Sequence, residues 1–85
     1  MIIAFHSRAW EDYCHWQKYD KKILKRTGQL LKDIKRSPFS GKGKPELLKY
    51  NYSGFYSRRI TEEHRLIYTI KEDTIIIAQC RFHYE

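Results

Sequence analysis

Four residues of the types that can move protons or grip a phosphate are spread along the second half of the chain. Glu46 follows the loop "GKGKP", Arg65 opens the run "RLIYTI", and His83 and Tyr84 lie in the terminal "CRFHYE". Cutting RNA without a metal needs this kind of set. One group takes the proton from a 2′-hydroxyl, cationic donors face the charge growing on phosphate, and an acid protonates the departing 5′-oxygen. Glu46 is the candidate base, and Lys42, Lys44 and Lys49 around it would draw an RNA backbone towards it. Taken singly, each residue has a plainer use. Arg65 could pair with Glu62 or Glu63, His83 could be a surface histidine, Tyr84 a packing aromatic and Glu46 a solvated carboxylate.

The elements that must bring positions 46, 65 and 83 together belong to a short chain. Its 85 residues predict one domain, 1–85, with a single modest core. Lys and Arg number 17 against 10 Asp and Glu, a formal charge of +7, so nucleic acid, an anionic membrane surface or an acidic partner are the expected contacts. Cys14 and Cys80 stand far apart with no C-x-x-C and read as small buried hydrophobes in a reducing compartment. No basic leader with a long apolar stretch is visible, and no apolar run approaches the roughly 20 residues a membrane span needs. The expectation is a cytoplasmic protein with no membrane partner. Glu11 and His15 share a helical face, but two ligands without a third make no metal site, so no metal or cofactor is expected.

Periodicity changes once along the chain. "MIIAF" reads as a first strand, with Ser7 as a helix N-cap after it. In the helix that follows, Ala9, Trp10, Tyr13, Cys14, Trp16 and Gln17 form the apolar stripe, with both tryptophans assigned to the core. Asp20 caps a second helix whose stripe is Ile23, Thr27, Leu30, Leu31 and Ile34, and Pro38 ends it near Arg36. Lys21 through Arg36 reads equally as a solvated face or as a contact for RNA phosphates. After the glycine- and proline-punctuated loop "SPFSGKGKPE", the runs "LLKYNY", "GFYSRRI", "HRLIYTI" and "TIIIAQCRFHY" predict consecutive antiparallel strands, with "KED" as a hairpin connection. The fold class is therefore α+β: two N-terminal helices packed on one face of a twisted, mainly antiparallel sheet whose other face is open.

Strand parity assigns side chains to that open face. Leu66, Tyr68 and Ile70 should face the helices, which sends Arg65 outward. In the last strand Ile76, Ala78, Cys80 and Phe82 read as the core row, placing Ile77, Gln79, Arg81 and His83 on the open face with Arg65. Arg59 joins them if Phe55 and Ser57 share its side. The last strand is expected to run almost to the terminus because its end belongs to the site.

"GKGKPE", "SGFYSRRITEEHRLIY", "WEDYCHWQKYDKKILKR" and the terminal "CRFHY" resemble the YoeB toxins, a branch of the RelE and ParE toxin superfamily, nearly end to end. The resemblance implies a RelE-like, microbial-ribonuclease-like fold and the toxin half of a type II toxin–antitoxin pair. It implies an endoribonuclease that cuts mRNA in the ribosomal A site and halts translation without a metal. By position, Glu46 matches the family's general base, Arg65 its phosphate-stabilising arginine, His83 its general acid and Tyr84 the aromatic that orients substrate. Lys49 and Arg59 match supporting basic residues. Implied partners are a YefM-like antitoxin whose binding segment is disordered until bound, ribosome and mRNA, operator DNA through the toxin–antitoxin complex, and a second copy in a homodimer. The chain departs from the family pattern at Glu85, which follows the family's terminal tyrosine, and at Leu47, where the family carries proline. Two readings of other classes stay open: a non-catalytic inhibitor of DNA gyrase like the ParE branch, and a basic nucleic-acid-binding module.

Overall fold

The helices form where apolar side chains recur at helical spacing. In α2 (Lys21–Arg36) Thr27, Leu30, Leu31 and Ile34 are buried while lysines and arginines cover most of the remaining surface. Asp20 caps it as expected: its carboxylate accepts from the amides of Lys22 and Ile23, each at 3.1 Å, satisfying two first-turn N–H groups that the helix cannot. The helix ends at Arg36, two residues before Pro38. In α1 (Ser7–Tyr19) the expectation fails at the cap and in part of the stripe. His6 is the N-cap and makes no side-chain capping bond, and Ser7 is already helical. Trp16 is buried, but Trp10 is 51% exposed, lying at the rim against Phe5 and Tyr13 instead of in the core.

A computed structural model describes residues 1–83. Tyr84 and Glu85, with the roles expected of them, lie outside the described residues. Five strands, β1 (Ile2–Phe5), β2 (Glu46–Leu47), β3 (Tyr56–Arg59), β4 (Arg65–Lys71) and β5 (Thr74–Gln79), form one sheet in the order β1-β5-β4-β3-β2. All neighbours are antiparallel except β1, which runs parallel to β5. Ala9 and Trp16 of α1, with Leu30, Leu31 and Ile34 of α2, pack on Leu66, Tyr68, Ile75 and Ile77 of the sheet. This is the α+β arrangement that the sequence predicts.

Two of the expected strands are shorter than their runs. "LLKYNY" gives only the two-residue β2 and then a 3-10 turn over Tyr50–Tyr52, entered by Tyr50 at φ +58°. The last strand stops at Gln79 instead of running to the terminus, and residues 81–83 bend away. The parity expected of β5 is also wrong. Tyr68 pairs with Ile77 but Ile67 pairs with Gln79, so Ala78 is an extra, bulged residue that shifts the alternation. Before the bulge Ile75 and Ile77 are the core row, not Ile76 and Ala78; after it Cys80 is core, and Phe82 is exposed. Three consecutive isoleucines carry no alternation, so hydrophobicity could not fix this register.

Candidate active site

Register builds the first wall of the site. Glu46 pairs with Ser57, Ser57 with Ile67 and Ile67 with Gln79, which sets one row across the face away from the helices; Arg59 pairs with Arg65 one step along. Lys44, Glu46, Ser57, Arg59, Arg65 and His83 line a cleft of about 120 Å³ there. The face is thus a small polar cleft over a closed floor, since Ser57, Ile67 and Gln79 are buried. A larger hollow of about 430 Å³ lies at the other edge of the sheet. Its only titratable groups are His6, Lys71 and Glu72, and it gathers no comparable acid, base and cation set.

Sequence reasoning missed the residue that fixes the loop carrying Lys44 and Glu46. Arg58 is wholly buried. Its Nη1 donates to Asp33 Oδ2 at 2.6 Å and to the Lys42 carbonyl at 3.1 Å, its Nη2 to the carbonyls of Ser37 (2.6 Å) and Ser40 (2.8 Å), and its Nε to the Tyr68 hydroxyl at 3.0 Å. Tyr68 passes its own proton to the Pro38 carbonyl at 2.7 Å. A buried guanidinium is tolerable because it is paired and its fork is filled. The Lys42 amide, then the Arg58 guanidinium, hold the Asp33 carboxyl down at about 2. Burial pushes the Tyr68 hydroxyl up. The glycines are needed here: a Cβ on Gly41 (φ +113°) would run into the Asp33 carboxylate, and one on Gly43 (φ +80°) would meet Leu30, Arg58 and the Arg59 carbonyl at 3.0–3.1 Å. A signal existed, because putting Arg59 outward turns Arg58 inward and Asp33 sits against the buried stripe of α2.

Arg65 is buried to 7% exposure and anchored by its own loop. Its Nη1 donates to the carbonyls of Thr61 (2.7 Å), Glu62 (2.9 Å) and His64 (3.1 Å), so backbone oxygens hold it where a Glu62 or Glu63 carboxylate was the plainer expectation. The guanidinium has five donors, and this anchor uses one nitrogen.

His83 arrives by an irregular tail. Cys80 is fixed to α1: its amide donates to Asp12 at 3.0 Å and its carbonyl accepts from Trp16 Nε1 at 2.8 Å. Burial raises Asp12 despite the Cys80 amide, and burial pushes the Cys80 thiol up to about 12, which makes it inert. Beyond it, the Gln79 amide donates to the carbonyls of Arg81 and His83. Phe82, at φ +64°, accepts from the Arg65 amide at 3.0 Å and donates its own amide to His64 Nδ1 at 2.7 Å.

Of the site residues the sequence nominated, the structure brings Glu46, Arg65, His83, Arg59 and Lys44 into one cleft. It does not bring Lys42, Lys49 or Arg81 there. Lys42 lies beside Gln29, Lys32, Asp33 and Arg36, and Lys49 in a neighbouring hollow that Glu46 also lines, with Leu47, Leu48 and Tyr50. Arg81 turns away from the cleft because β5 ends at Gln79 and the chain bends there, so strand alternation no longer sets its direction: its guanidinium lies 5.8 Å from the Trp16 ring and 4.5 Å from that of Phe82. Among the described residues no cluster of three or more His, Cys, Asp or Glu could hold a metal, and no helix is long and apolar enough to cross a membrane.

Comparison with known proteins gives this cleft its context. Residues 5–84 match the model of the YoeB-like toxins of bacterial type II toxin–antitoxin systems. Toxin YoeB of Escherichia coli K12 is 55% identical over 84 residues, 99% of this chain and 100% of the relative. A YoeB/ParE toxin structure from Agrobacterium tumefaciens superposes with a TM-score of 0.97 at 41% identity, covering 99% of this chain and 100% of the other. Staphylococcus aureus YoeB, solved both in a heterotetrameric complex with YefM and as a dimer, superposes at 0.92 with 49% identity over 99% of this chain and 98% of its own. With this identity end to end on the same fold, the chain belongs to the YoeB-like toxins of bacterial type II toxin–antitoxin systems.

Proposed function

We propose that this toxin is a ribosome-dependent mRNA endoribonuclease that cuts in the ribosomal A site and stops translation. The observation that carries the reading is the convergence of Glu46, Arg65 and His83, from three separate segments, on one small cleft edged by Lys44 and Arg59. Glu46 takes the proton from the 2′-hydroxyl, and O2′ attacks the adjacent phosphorus. The charge that builds on the phosphate oxygens falls to Arg65, whose anchored Nη1 leaves Nε and Nη2 for the ligand. The bond from phosphorus to O5′ breaks as His83 gives O5′ its proton, leaving a 2′,3′-cyclic phosphate and a 5′-hydroxyl. No step requires a metal. Arg59 and Lys44 hold flanking phosphates, with Lys42 and Lys49 further along the same strand of RNA. Tyr84 orients the substrate, while Arg81 supports the tail instead of touching RNA.

A cleft of only about 120 Å³ offers little area for gripping a free strand, which fits an enzyme whose substrate is presented by the ribosome. The +7 charge favours that encounter and equally a wrapped acidic antitoxin of the YefM kind, through which the pair would reach operator DNA. The dimer of S. aureus YoeB supports a homodimer here, and a ribosomal target would place the site of action in the cytoplasm. The test is to give purified toxin an mRNA alone and the same mRNA on stalled ribosomes, then map the ends. A-site cuts with ribosomes, abolished by Glu46→Ala and His83→Ala, are the expected result. Growth arrest without cuts, persisting in both variants, would instead favour a gyrase-directed toxin, and salt-sensitive binding without scission a plain RNA-binding module.

A further inference from the structure

The nuclease reading gives His64 no task, yet its ring is buried where the tail turns towards the cleft. It is 8% exposed, stands edge-on to Trp16 at 4.7 Å and lies 5.7 Å from the Phe82 ring. The residue before His83 needs support. Phe82 holds a left-handed backbone at φ +64°, which is strained for a non-glycine residue and persists only where its surroundings impose it. Both of its backbone groups are engaged by the start of β4: the Arg65 amide on its carbonyl and the His64 ring nitrogen on its amide.

From this geometry we infer that His64 is a positioning residue for the candidate acid: as a neutral imidazole with Nδ1 unprotonated, it accepts the Phe82 amide and locks the turn that presents His83. The inference rests on the nuclease reading for its effect on activity and on geometry alone for the latch. An amide donor admits only the tautomer with hydrogen on Nε2, which points towards Glu63 Oε1 at 3.6 Å. Protonating Nδ1 would set N–H against N–H, removing the acceptor and freeing the strained turn. The charges facing the ring come from each packed element: Glu63 from its own loop, Asp12 and His15 from α1, Arg81 from the tail. Burial, the largest influence, holds the imidazole below its ordinary range, ahead of the opposing pull of Glu63. The latch is therefore closed at neutral pH and opens on acidification.

Side-chain geometry supplies the test. Asparagine places an oxygen at the position of Nδ1, whereas glutamine places its amide near Nε2. His64→Gln should lower the single-turnover cleavage rate on ribosome-bound mRNA about ten- to a hundred-fold with an unchanged half-saturating toxin concentration, since a misplaced acid costs rate and not binding. His64→Asn should recover most of that rate. The ¹⁵N signature of His64 should report an unprotonated Nδ1 in wild type, and amide exchange should show Phe82 protected in wild type and His64→Asn, with protection lost in His64→Gln. Equal loss in both variants, or wild-type cleavage and exchange in His64→Gln, would overturn the inference. If wild type cuts nothing, the nuclease reading fails. The exchange and ¹⁵N data still decide the latch: an unprotected Phe82 amide or a protonated Nδ1 in wild type overturns it.

Discussion

The two walls of the cleft are held by opposite means. The wall carrying Lys44 and Glu46 hangs on a buried ion pair: Arg58 and Asp33 lie at the centre and tie down the carbonyls of Ser37, Ser40 and Lys42. The wall carrying His83 is a terminal tail with a strained turn, gripped by neutral hydrogen bonds from Gln79 and Arg65 and to His64. A charged hub with every donor filled is hard to disturb by small changes and severely affected by deleting one partner. Neutral bonds are individually weaker, and the one to His64 responds to pH. The candidate base is thus set in a rigid frame and the candidate acid on an adjustable one.

The largest effect should come from attacking the frame. Arg58→Ala leaves the buried Asp33 carboxylate without its central partner and three carbonyls without a donor, and since removing one partner of a buried pair costs about 3–5 kcal/mol the loss should exceed about 3 kcal/mol. Urea unfolding measures this, and a variant within about 1 kcal/mol of wild type would show the hub to be dispensable. Trp16→Phe acts on the other wall: it keeps most of the buried ring but loses the Nε1 bond to the Cys80 carbonyl. It should cost about 1 kcal/mol by denaturation and loosen the amides of residues 80–83 in hydrogen exchange. Smaller and remote from both walls, Asp20→Ala should remove about 1 kcal/mol through the α2 cap and leave cleavage unchanged.

Acid titration should separate the walls in sequence. His64 sits below its unfolded value, so the folded state binds fewer protons there; the stability it contributes is complete above about 6.5 and is lost as pH falls through its folded value. Asp33 is also depressed, to about 2, so its contribution is present above about 4 and disappears between about 4 and 2. Protection of the Phe82 amide should therefore fail first, in mildly acid solution, with global unfolding far lower. Simultaneous loss of both would contradict the distinction.

The base wall was partly legible from sequence and the acid wall much less so. Asp20, the end of α2 at Arg36 and the outward turn of Arg65 all followed from local rules, because a capping carboxylate, a proline and a clean alternation each act within a few residues. Glu46, Arg65 and His83 could be nominated as a set through the family resemblance. The bulge at Ala78 was invisible among Ile75, Ile76 and Ile77, and so was the end of β5 at Gln79, beyond which the chain bends and takes Arg81 to Trp16. The parts played by Arg58, Asp33 and His64 depend on contacts across 25 and 18 residues of chain, and single residue types do not announce them.

The central claim is that Glu46 supplies the base and His83 the acid from these two walls. It can be tested with an mRNA whose leaving 5′-oxygen at the A-site cut is replaced by sulfur, a leaving group that departs without protonation. On ribosomes, His83→Gln should cut the sulfur substrate at nearly the wild-type rate while remaining slow on the oxygen one, and Glu46→Gln should stay slow on both. Rescue of Glu46→Gln, or no rescue of His83→Gln, would contradict the account.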